Sequence, residues 1–235
     1  MKHIYTTLFL AYIVFSISSC KEKDEWKLPS DVQFSMDIKK ESPNNNKLTF
    51  SGGHIVLSSF AIEGTRTQGE NVNFDRPYPN GTKVSFDANS YIEDLGFDIP
   101  QGTYDYLKIR FSTHEEVGSN NIVLNGSYKS GNTTVPIQLE IASKEHFEIN
   151  AVDNIGKSPK VVLSHNSLSQ AQITLDPTYW FQTVSNSMLD VADKTIVGSN
   201  QTILINMTNN STIYYKIIDR IDEEMEAVLN VNKQK

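Results

Sequence analysis

Apolar and polar residues alternate along most of the chain after Asp31, and this period of two predicts half-buried β-strands. The first such run places apolar side chains at Val32, Phe34, Met36 and Ile38. Later runs with the same spacing cover residues 95–99, 107–111, 135–141 and 171–175. Glycine, proline and asparagine residues typical of turns separate the runs. Roughly nine or ten short strands of this kind predict a mainly β fold, specifically a β-sandwich.

The hydrophobic period changes after Leu175, where helix signals begin. Asp176 followed by Pro177 is typical of a helix start, with an N-cap carboxylate and proline at the first helical position. We therefore expect a short helix over residues 178–184, a further helical turn over residues 188–191, and one more strand over residues 201–207.

The carboxyl end of the sequence predicts an amphipathic helix packed on the sandwich. Asn210 or Ser211 can cap this helix, and apolar residues form one stripe at Tyr214, Ile217, Ile218, Ile221, Met225, Val228 and Leu229. Acidic residues such as Asp222 lie off that stripe and are expected to face water. We expect residues 31–235 to form a single domain, while a boundary near residue 165 stays open as an alternative.

The first nineteen residues have the layout of a secretory signal peptide. Lys2 and His3 precede an uncharged run over residues 4–19, which is shorter than the roughly 20 apolar residues of a membrane-spanning helix. The end of this run reads Ile-Ser-Ser-Cys and resembles the lipobox of bacterial lipoproteins. The resemblance implies cleavage before Cys20 and a diacylglycerol on its thiol. We expect residues 20–30 to comprise the lipidated cysteine and a tether to the domain.

A charged segment follows the cysteine directly. Residues 21–25 read Lys-Glu-Lys-Asp-Glu and resemble the acidic export signal of Bacteroidota lipoproteins. This resemblance implies a protein on the outside of the outer membrane. The membrane itself, bound through the lipid on Cys20, is then an expected partner.

Composition excludes several classes of function. The chain has 235 residues, a net charge of -7 and one cysteine. An acidic chain lacks the basic surface that nucleic-acid binding needs, so we expect no nucleic-acid partner. A single cysteine excludes an intramolecular disulfide and a zinc site built from cysteines.

Catalytic motifs are absent from the sequence. It contains no Gly-x-Ser-x-Gly nucleophile elbow and no glycine-rich phosphate loop with a lysine. We therefore expect no enzymatic activity and no cofactor. A hydrolase whose site is assembled from distant residues is the alternative.

Two sequence features are candidates for metal binding. His146 and Glu148 fall on one face of a predicted strand and could supply two ligands, whereas zinc needs three or four. We expect this pair to be a solvated strand face without a metal. Residues 87–98 carry oxygen donors at alternate positions, as a calcium loop does, but Ile92 stands where the sharp turn requires glycine. A calcium site there stays an alternative.

Exposed aromatic rings are the candidates for ligand recognition. Tyr104 and Tyr106 are two residues apart and share one face of a predicted strand whose inner face is occupied by Leu107, so the pair is a candidate for ligand contact on the outer face, and packing in the core is the alternative. Such rings can stack on the C–H groups of a sugar. Trp180 lies in a Tyr-Trp-Phe cluster and has two alternative roles, a ligand contact or a plug between the short helix and the sandwich.

Three segments together resemble β-rich surface lipoproteins of Bacteroidota. They are Phe-Ala-Ile-Glu-Gly-Thr-Arg at 60–66, Phe-Asp-Ile-Pro-Gln-Gly-Thr-Tyr at 97–104, and Ile-Thr-Leu-Asp at 173–176, which leads to Trp180. The Pro-x-Gly-x-Tyr step at 100–104 is also similar to a turn in sandwich domains of fimbrial and transthyretin-like type. The resemblance implies a sandwich on a surface tether and supplies no catalytic residues.

These observations predict a membrane-anchored lipoprotein that acts as a non-enzymatic binding module. The expected partner is a glycan, a peptide or another protein. The alternative is a structural or accessory subunit of an outer-membrane transport, fimbrial or adhesin complex.

Overall fold

β-Strands account for most of the chain in the computed structural model, which describes residues 24–40, 47–87, 95–116, 118–155, 157–165 and 167–231. The strands are β1 (Pro29–Ile38), β2 (Leu48–Arg66), β3 (Val72–Ser85), β4 (Gly96–Pro100), β5 (Gly102–Thr113), β6 (Ile122–Ser130), β7 (Thr133–Ile141), β8 (His146–Asp153), β9 (Val161–Leu163), β10 (Ser169–Leu175), β11 (Thr195–Val197), β12 (Asn200–Ile205) and β13 (Met225–Val231). The helices are α1 (Pro177–Trp180), α2 (Asn186–Asp190) and α3 (Ser211–Ile218), with 3-10 turns at Asp24–Lys27 and Phe181–Thr183. The prediction of a mainly β fold is confirmed. None of the described helices has the length and apolar character needed to cross a bilayer.

The strands form one hydrogen-bonded ladder in the order β11-β12-β7-β6-β2-β5-β8-β13-β10-β1-β4. Beside this path, β3 pairs with β2 and β9 pairs with β5. Most neighbouring strands are antiparallel, whereas the pairs β1–β10, β7–β12 and β8–β13 are parallel. β10 and β13 lie between β8 and β1, so the chain on both sides of residue 165 contributes to the same ladder.

The ladder folds over so that two layers pack face to face. The ring of Phe60 in β2 lies 5.1 Å from Phe34 of β1 and 5.4 Å from Phe97 of β4, measured between centroids. β1 and β4 are at one end of the ladder and β2 is near its middle, so these contacts join opposite layers. Phe60 also stacks on Phe111 of β5, within its own layer, at 6.3 Å. Apolar residues from both inner faces form one buried cluster, as in a sandwich.

The predicted carboxyl-terminal helix is correct only in its first part. α3 buries Ile213, Tyr214 and Ile217 on one face and then ends. The chain turns, with Glu224 in the left-handed region at φ 53°, and continues as β13. β13 is paired with β10 on one edge and β8 on the other, which satisfies its backbone groups. The helix expected over residues 219–229 is therefore wrong, because pairing inside the sheet outweighs the local helical spacing.

The start of α1 is built as predicted. The Asp176 carboxylate accepts hydrogen bonds from the backbone N–H groups of Thr178 and Tyr179 at 3.0 and 3.1 Å. The Nζ atom of Lys39 lies 2.8 Å from the same carboxylate. Burial alone would raise the pKa of Asp176, but the hydrogen bonds from Lys39 and Thr178 outweigh it and hold the pKa below its ordinary value.

Candidate functional site

A polar groove lies over the outer face of β2, β5 and β8. Its volume is about 630 Å³. The polar side chains that line it come from β3, β5, β8 and the turn after α3, and they are Asn73, Asp75, Arg110, Ser112, His146, Glu148 and Asp222. Ser59 and Ala61 of β2, Phe111 of β5 and Phe147 of β8 also line it. This cavity is termed the β2–β5–β8 groove.

Strand alternation explains why polar groups face the groove. In β5, Ile109 and Phe111 are buried in the core, so Arg110 and Ser112 project from the opposite face. β8 alternates in the same way, and its register places His146 directly opposite Ser112. Burial of the apolar residues on one face of the sheet therefore places the polar residues that alternate with them on the groove face.

Ion pairs across strands neutralise two cations of this face. Arg110 pairs with Glu63 of β2, and the Nζ atom of Lys108 lies 2.5 Å from an oxygen of Glu148. The hydrogen bond to Glu148 raises the pKa of Lys108, so this lysine stays charged. Both pairs are partly exposed and serve to hold side-chain positions more than to stabilise the fold.

Two further carboxylates reach the groove without a cation. Asp75 comes from β3 and Asp222 from the turn after α3. Neither takes part in an ion pair within the part of the chain that the structure describes. Both are exposed, as is Asn73. These three side chains can therefore exchange hydrogen bonds with a ligand.

A hydroxyl and an imidazole meet inside the groove. The Oγ atom of Ser112 lies 2.8 Å from Nδ1 of His146. These are two of the three parts of a nucleophilic triad, whose third part is a carboxylate that orients the imidazole. Within the described residues, no carboxylate is hydrogen-bonded to His146. The pair is therefore a hydrogen-bonding surface rather than an assembled triad.

His146 and Glu148 lie on one face of β8, where the sequence placed them. Both are exposed, and Glu148 is held by Lys108. Among the described residues, no three histidine, cysteine, aspartate or glutamate side chains come together in a way that could hold a metal ion. The two side chains contribute to the polar lining of the groove.

The expected two-tyrosine platform is wrong for Tyr104. Tyr106 is 41% exposed on the outer face, whereas Tyr104 is fully buried. The register between β2 and β5 shifts at this point, so that Asp105 is an extra residue in β5. Because side chains alternate faces along a strand, one extra residue sends the two tyrosines to opposite faces.

Two local features hold Tyr104 inside. Its hydroxyl donates a hydrogen bond to the carbonyl oxygen of Pro100 at 2.6 Å. Its ring occupies the space beside Gly64, where a Cβ atom would come within 2.6 Å of the ring. A glycine in the middle of a predicted strand is a sequence signal for such a close approach. Gly64 could therefore have indicated that a large side chain packs against this position.

Trp180 belongs to the core. Its side chain is fully buried, and its Nε1 atom has no hydrogen-bond partner among the described residues. Of the two alternatives that the sequence left open, the plug between helix and sandwich is the correct one. Two other predictions fall outside the described residues: the lipid attachment at Cys20, and the central part of the calcium-like segment at 88–94.

Sequence reasoning missed most of the groove. Asp75 was not singled out, and Asp222 was assigned to a solvated helix face. Asp75 reaches the groove because β3 pairs with β2, and Asp222 reaches it because the chain turns after α3. Asp75 comes near β5 and β8 only because β2 lies between β3 and β5, and Asp222 comes near them only through the tertiary fold, so local sequence does not indicate either position.

Comparison with known proteins finds a distant likeness among solved structures. No protein-family model and no curated protein matches the sequence significantly. Among solved structures, the chain is similar to a candidate cell adhesion protein from Bacteroides eggerthii, with 9% sequence identity and a TM-score of 0.23. The match covers 88% of this chain and 56% of that protein, so the chain spans little more than half of its length. A likeness this distant defines neither a family nor a function.

Proposed function

We propose that the chain is a lipid-anchored protein of the outer membrane surface whose β domain binds a partner without catalysing a reaction. The β2–β5–β8 groove carries the proposal for the domain, because it offers about 630 Å³ lined by polar side chains on a sheet face. The signal peptide and lipobox-like sequence ending at Cys20 support the anchor.

A glycan is the partner that suits the groove best. Sugar hydroxyl groups both donate and accept hydrogen bonds, and the groove presents carboxylates, an amide, a hydroxyl and an imidazole. Tyr106 lies on the same face of β5, four residues before Arg110, which corresponds to about 13 Å along the strand. A sugar ring stacked on Tyr106 would place the neighbouring sugars over the groove.

The contacts inside the groove support binding rather than catalysis. Hydrolysis by a serine nucleophile needs an oriented imidazole and donors for the developing oxyanion. Ser112 is the hydrogen-bond partner of the His146 ring within the described residues. Arg110 is already neutralised by Glu63, so its charge is not free to stabilise an oxyanion.

The proposal is tested by screening the purified lipoprotein on a glycan array and titrating the hits by calorimetry. Asp75→Asn and Asp222→Asn should each weaken binding about tenfold, because a charged acceptor makes stronger hydrogen bonds than an amide. Tyr106→Ala should weaken binding to a similar extent by removing the stacking surface. Asp193→Asn changes an exposed carboxylate outside the groove and should leave the affinity unchanged.

Other outcomes would redirect the assignment. Full affinity in Asp75→Asn, Asp222→Asn and Tyr106→Ala would place the ligand elsewhere. If no glycan on the array binds and the protein co-purifies with an outer-membrane assembly, the accessory-subunit alternative would be favoured. The anchor is tested separately, since Cys20→Ala should release the protein from the membrane fraction. Retention of that variant in the membrane would contradict the anchor.

A further inference from the structure

The backbone just after the predicted anchor is fixed to the domain by a buried arginine. Arg66, 7% exposed, donates hydrogen bonds from Nη1 to the carbonyl oxygens of Trp26 and Gln101, at 2.7 and 3.0 Å. Its Nε atom donates to the carbonyl oxygen of Glu70 at 2.7 Å. A buried guanidinium with three such acceptors has little freedom to move.

Two other residues hold the same segment. The side-chain amide of Gln101 donates to the carbonyl oxygen of Glu25 at 2.5 Å, and its backbone N–H donates to that of Leu28 at 2.8 Å. The Nδ1 atom of His165 lies 2.8 Å from the carbonyl oxygen of Pro29. Arg66, Gln101 and His165, termed the N-terminal clamp, thus fix the carbonyl groups of four residues between positions 25 and 29.

The clamp limits how far the domain can stand from the lipid. The five residue steps from Cys20 to Glu25 span about 17 Å at most. β5 contains twelve residues and extends for about 40 Å. If the lipid is on Cys20, the end of the sheet at which β1 begins is therefore held much closer to the bilayer than the opposite end. This end is termed the anchor end.

Four of the nine exposed large apolar side chains among the described residues lie at the anchor end: Leu28, Ile155, Val162 and Leu168. Leu28 directly precedes β1, and Leu168 directly precedes β10, which runs parallel to β1. Val162 pairs with Thr103 at the start of β5. Ile155, 90% exposed, follows the end of β8, which runs antiparallel to β5. These side chains belong to four separate segments that share one end of the sheet.

We propose that the anchor end rests on the lipid surface, with Leu28, Ile155, Val162 and Leu168 inserted at the level of the headgroups. The proposal rests on the lipid anchor of the proposed function. Transfer of an apolar side chain from water to a membrane interface is favourable in free energy. The short clamped tether brings these four side chains to that interface. The β2–β5–β8 groove, lined by Ser112 and His146 toward the far end of β5, is then held away from the membrane and faces the medium.

Site-directed labelling tests this orientation in the full lipidated chain. Lipidation consumes the thiol of the single cysteine, so a cysteine introduced elsewhere can be labelled alone. Ile155→Cys and Leu168→Cys report on the anchor end. Ile196→Cys is the matched control, because Ile196 is also an exposed apolar residue but belongs to β11 at the edge of the ladder, away from the clamp. Each variant carries an environment-sensitive fluorophore in vesicles of equal parts phosphatidylethanolamine and phosphatidylglycerol.

Lipids with a nitroxide on the headgroup should quench the labels at 155 and 168 at least about threefold more than the label at 196. Equal quenching at all three positions in vesicle-bound protein would overturn the orientation and leave the anchor intact. Protein that does not sediment with the vesicles would overturn the anchor and the orientation together. If the labels at positions 155 and 168 report burial in native membranes but not in lipid vesicles, the anchor end contacts a protein partner. That result would also overturn the proposal.

The clamp itself is tested by Gln101→Ala in the labelled variants. This change removes the side-chain contacts to Glu25 and to the backbone N–H of His165 while Arg66 keeps its own contacts. We expect the difference in quenching between positions 168 and 196 to shrink at least twofold at an unchanged urea midpoint. An unchanged difference would show that the clamp does not set the orientation.

Discussion

Phe60 should be one of the most sensitive positions in the fold, because its ring connects both layers of the sandwich. It is fully buried and touches Phe34 and Phe97 of the opposite layer and Phe111 of its own. Phe60→Ala removes the ring and leaves a cavity between two sheets whose backbones are fixed by hydrogen bonds. The surrounding layers can therefore collapse only in part.

The size of the effect follows from the buried area. A phenylalanine buries roughly 170 Å² of apolar surface, which at about 25 cal/mol per Å² corresponds to about 4 kcal/mol. Measured substitutions of this type fall in the same range, about 3 to 5 kcal/mol. Phe60→Leu keeps most of the volume and loses mainly the ring contacts, so we expect a loss of about 1 to 2 kcal/mol. Against a typical total of about 5 to 15 kcal/mol, the alanine variant is close to unfolding.

Urea unfolding followed by tryptophan fluorescence measures these losses, because Trp180 moves from the core to water when the domain unfolds. Tyr106→Ala is the control on the outer face and should cost about 0.5 kcal/mol or less. A loss below about 1 kcal/mol for Phe60→Ala would refute the reasoning. It would show that the two layers are not joined through this ring.

Three further substitutions test contacts outside this stack. Asp176→Ala removes the N-cap of α1 and should lower the free energy of unfolding by about 1 kcal/mol at neutral pH, where the low pKa keeps the carboxylate charged. Burial and the hydrogen bond to Asp190 raise the pKa of Tyr128 from 10.0 to about 12. The unfolded chain then loses this proton first, so stability should fall as the pH rises through that window, and less so in Tyr128→Phe. Gly126→Ala would place a Cβ atom 2.2 Å from a backbone oxygen and should cost about 1 to 3 kcal/mol.

The same urea titrations check all three, at several pH values for the first two. The stability lost in Asp176→Ala should diminish below the ordinary pKa of aspartate, and a loss independent of pH would contradict the capping role. An equally steep alkaline fall in Tyr128→Phe would assign that fall to other groups. Asn125→Ala, at an exposed neighbouring position in β6, is the control for Gly126→Ala and should change little.

The strands were predictable because alternation is a local signal. Val135 to Ile141 and Leu107 to Phe111 are strands in the structure as they are in the pattern. Alternation gave the wrong face for Tyr104, because the extra residue Asp105 places Tyr104 and Tyr106 on opposite faces of β5. Alternation indicates which residues share a face only as long as the register is unbroken.

The prediction of a helix at the carboxyl end was wrong for a different reason. Met225 and Leu229 are four residues apart and therefore satisfy both a helical stripe and a strand of period two. The decision between the two lies in β8 and β10, which supply pairing partners on both edges. Local patterns cannot predict the groove for the same reason, since its lining residues come from segments between residue 59 and residue 222. Local pattern cannot specify which distant strands become neighbours.

The position of β13 also determines when the domain can fold. The last described strand of the chain sits in the interior of the ladder and joins the layer that contains β8 to the layer that contains β10. A chain in which residues 225–231 have not yet been synthesised has two open strand edges where β13 belongs. The sheet therefore closes only once residues 225–231 can pair with β8 and β10. Truncation of even this one strand should yield a chain that pairs with other molecules instead of with itself.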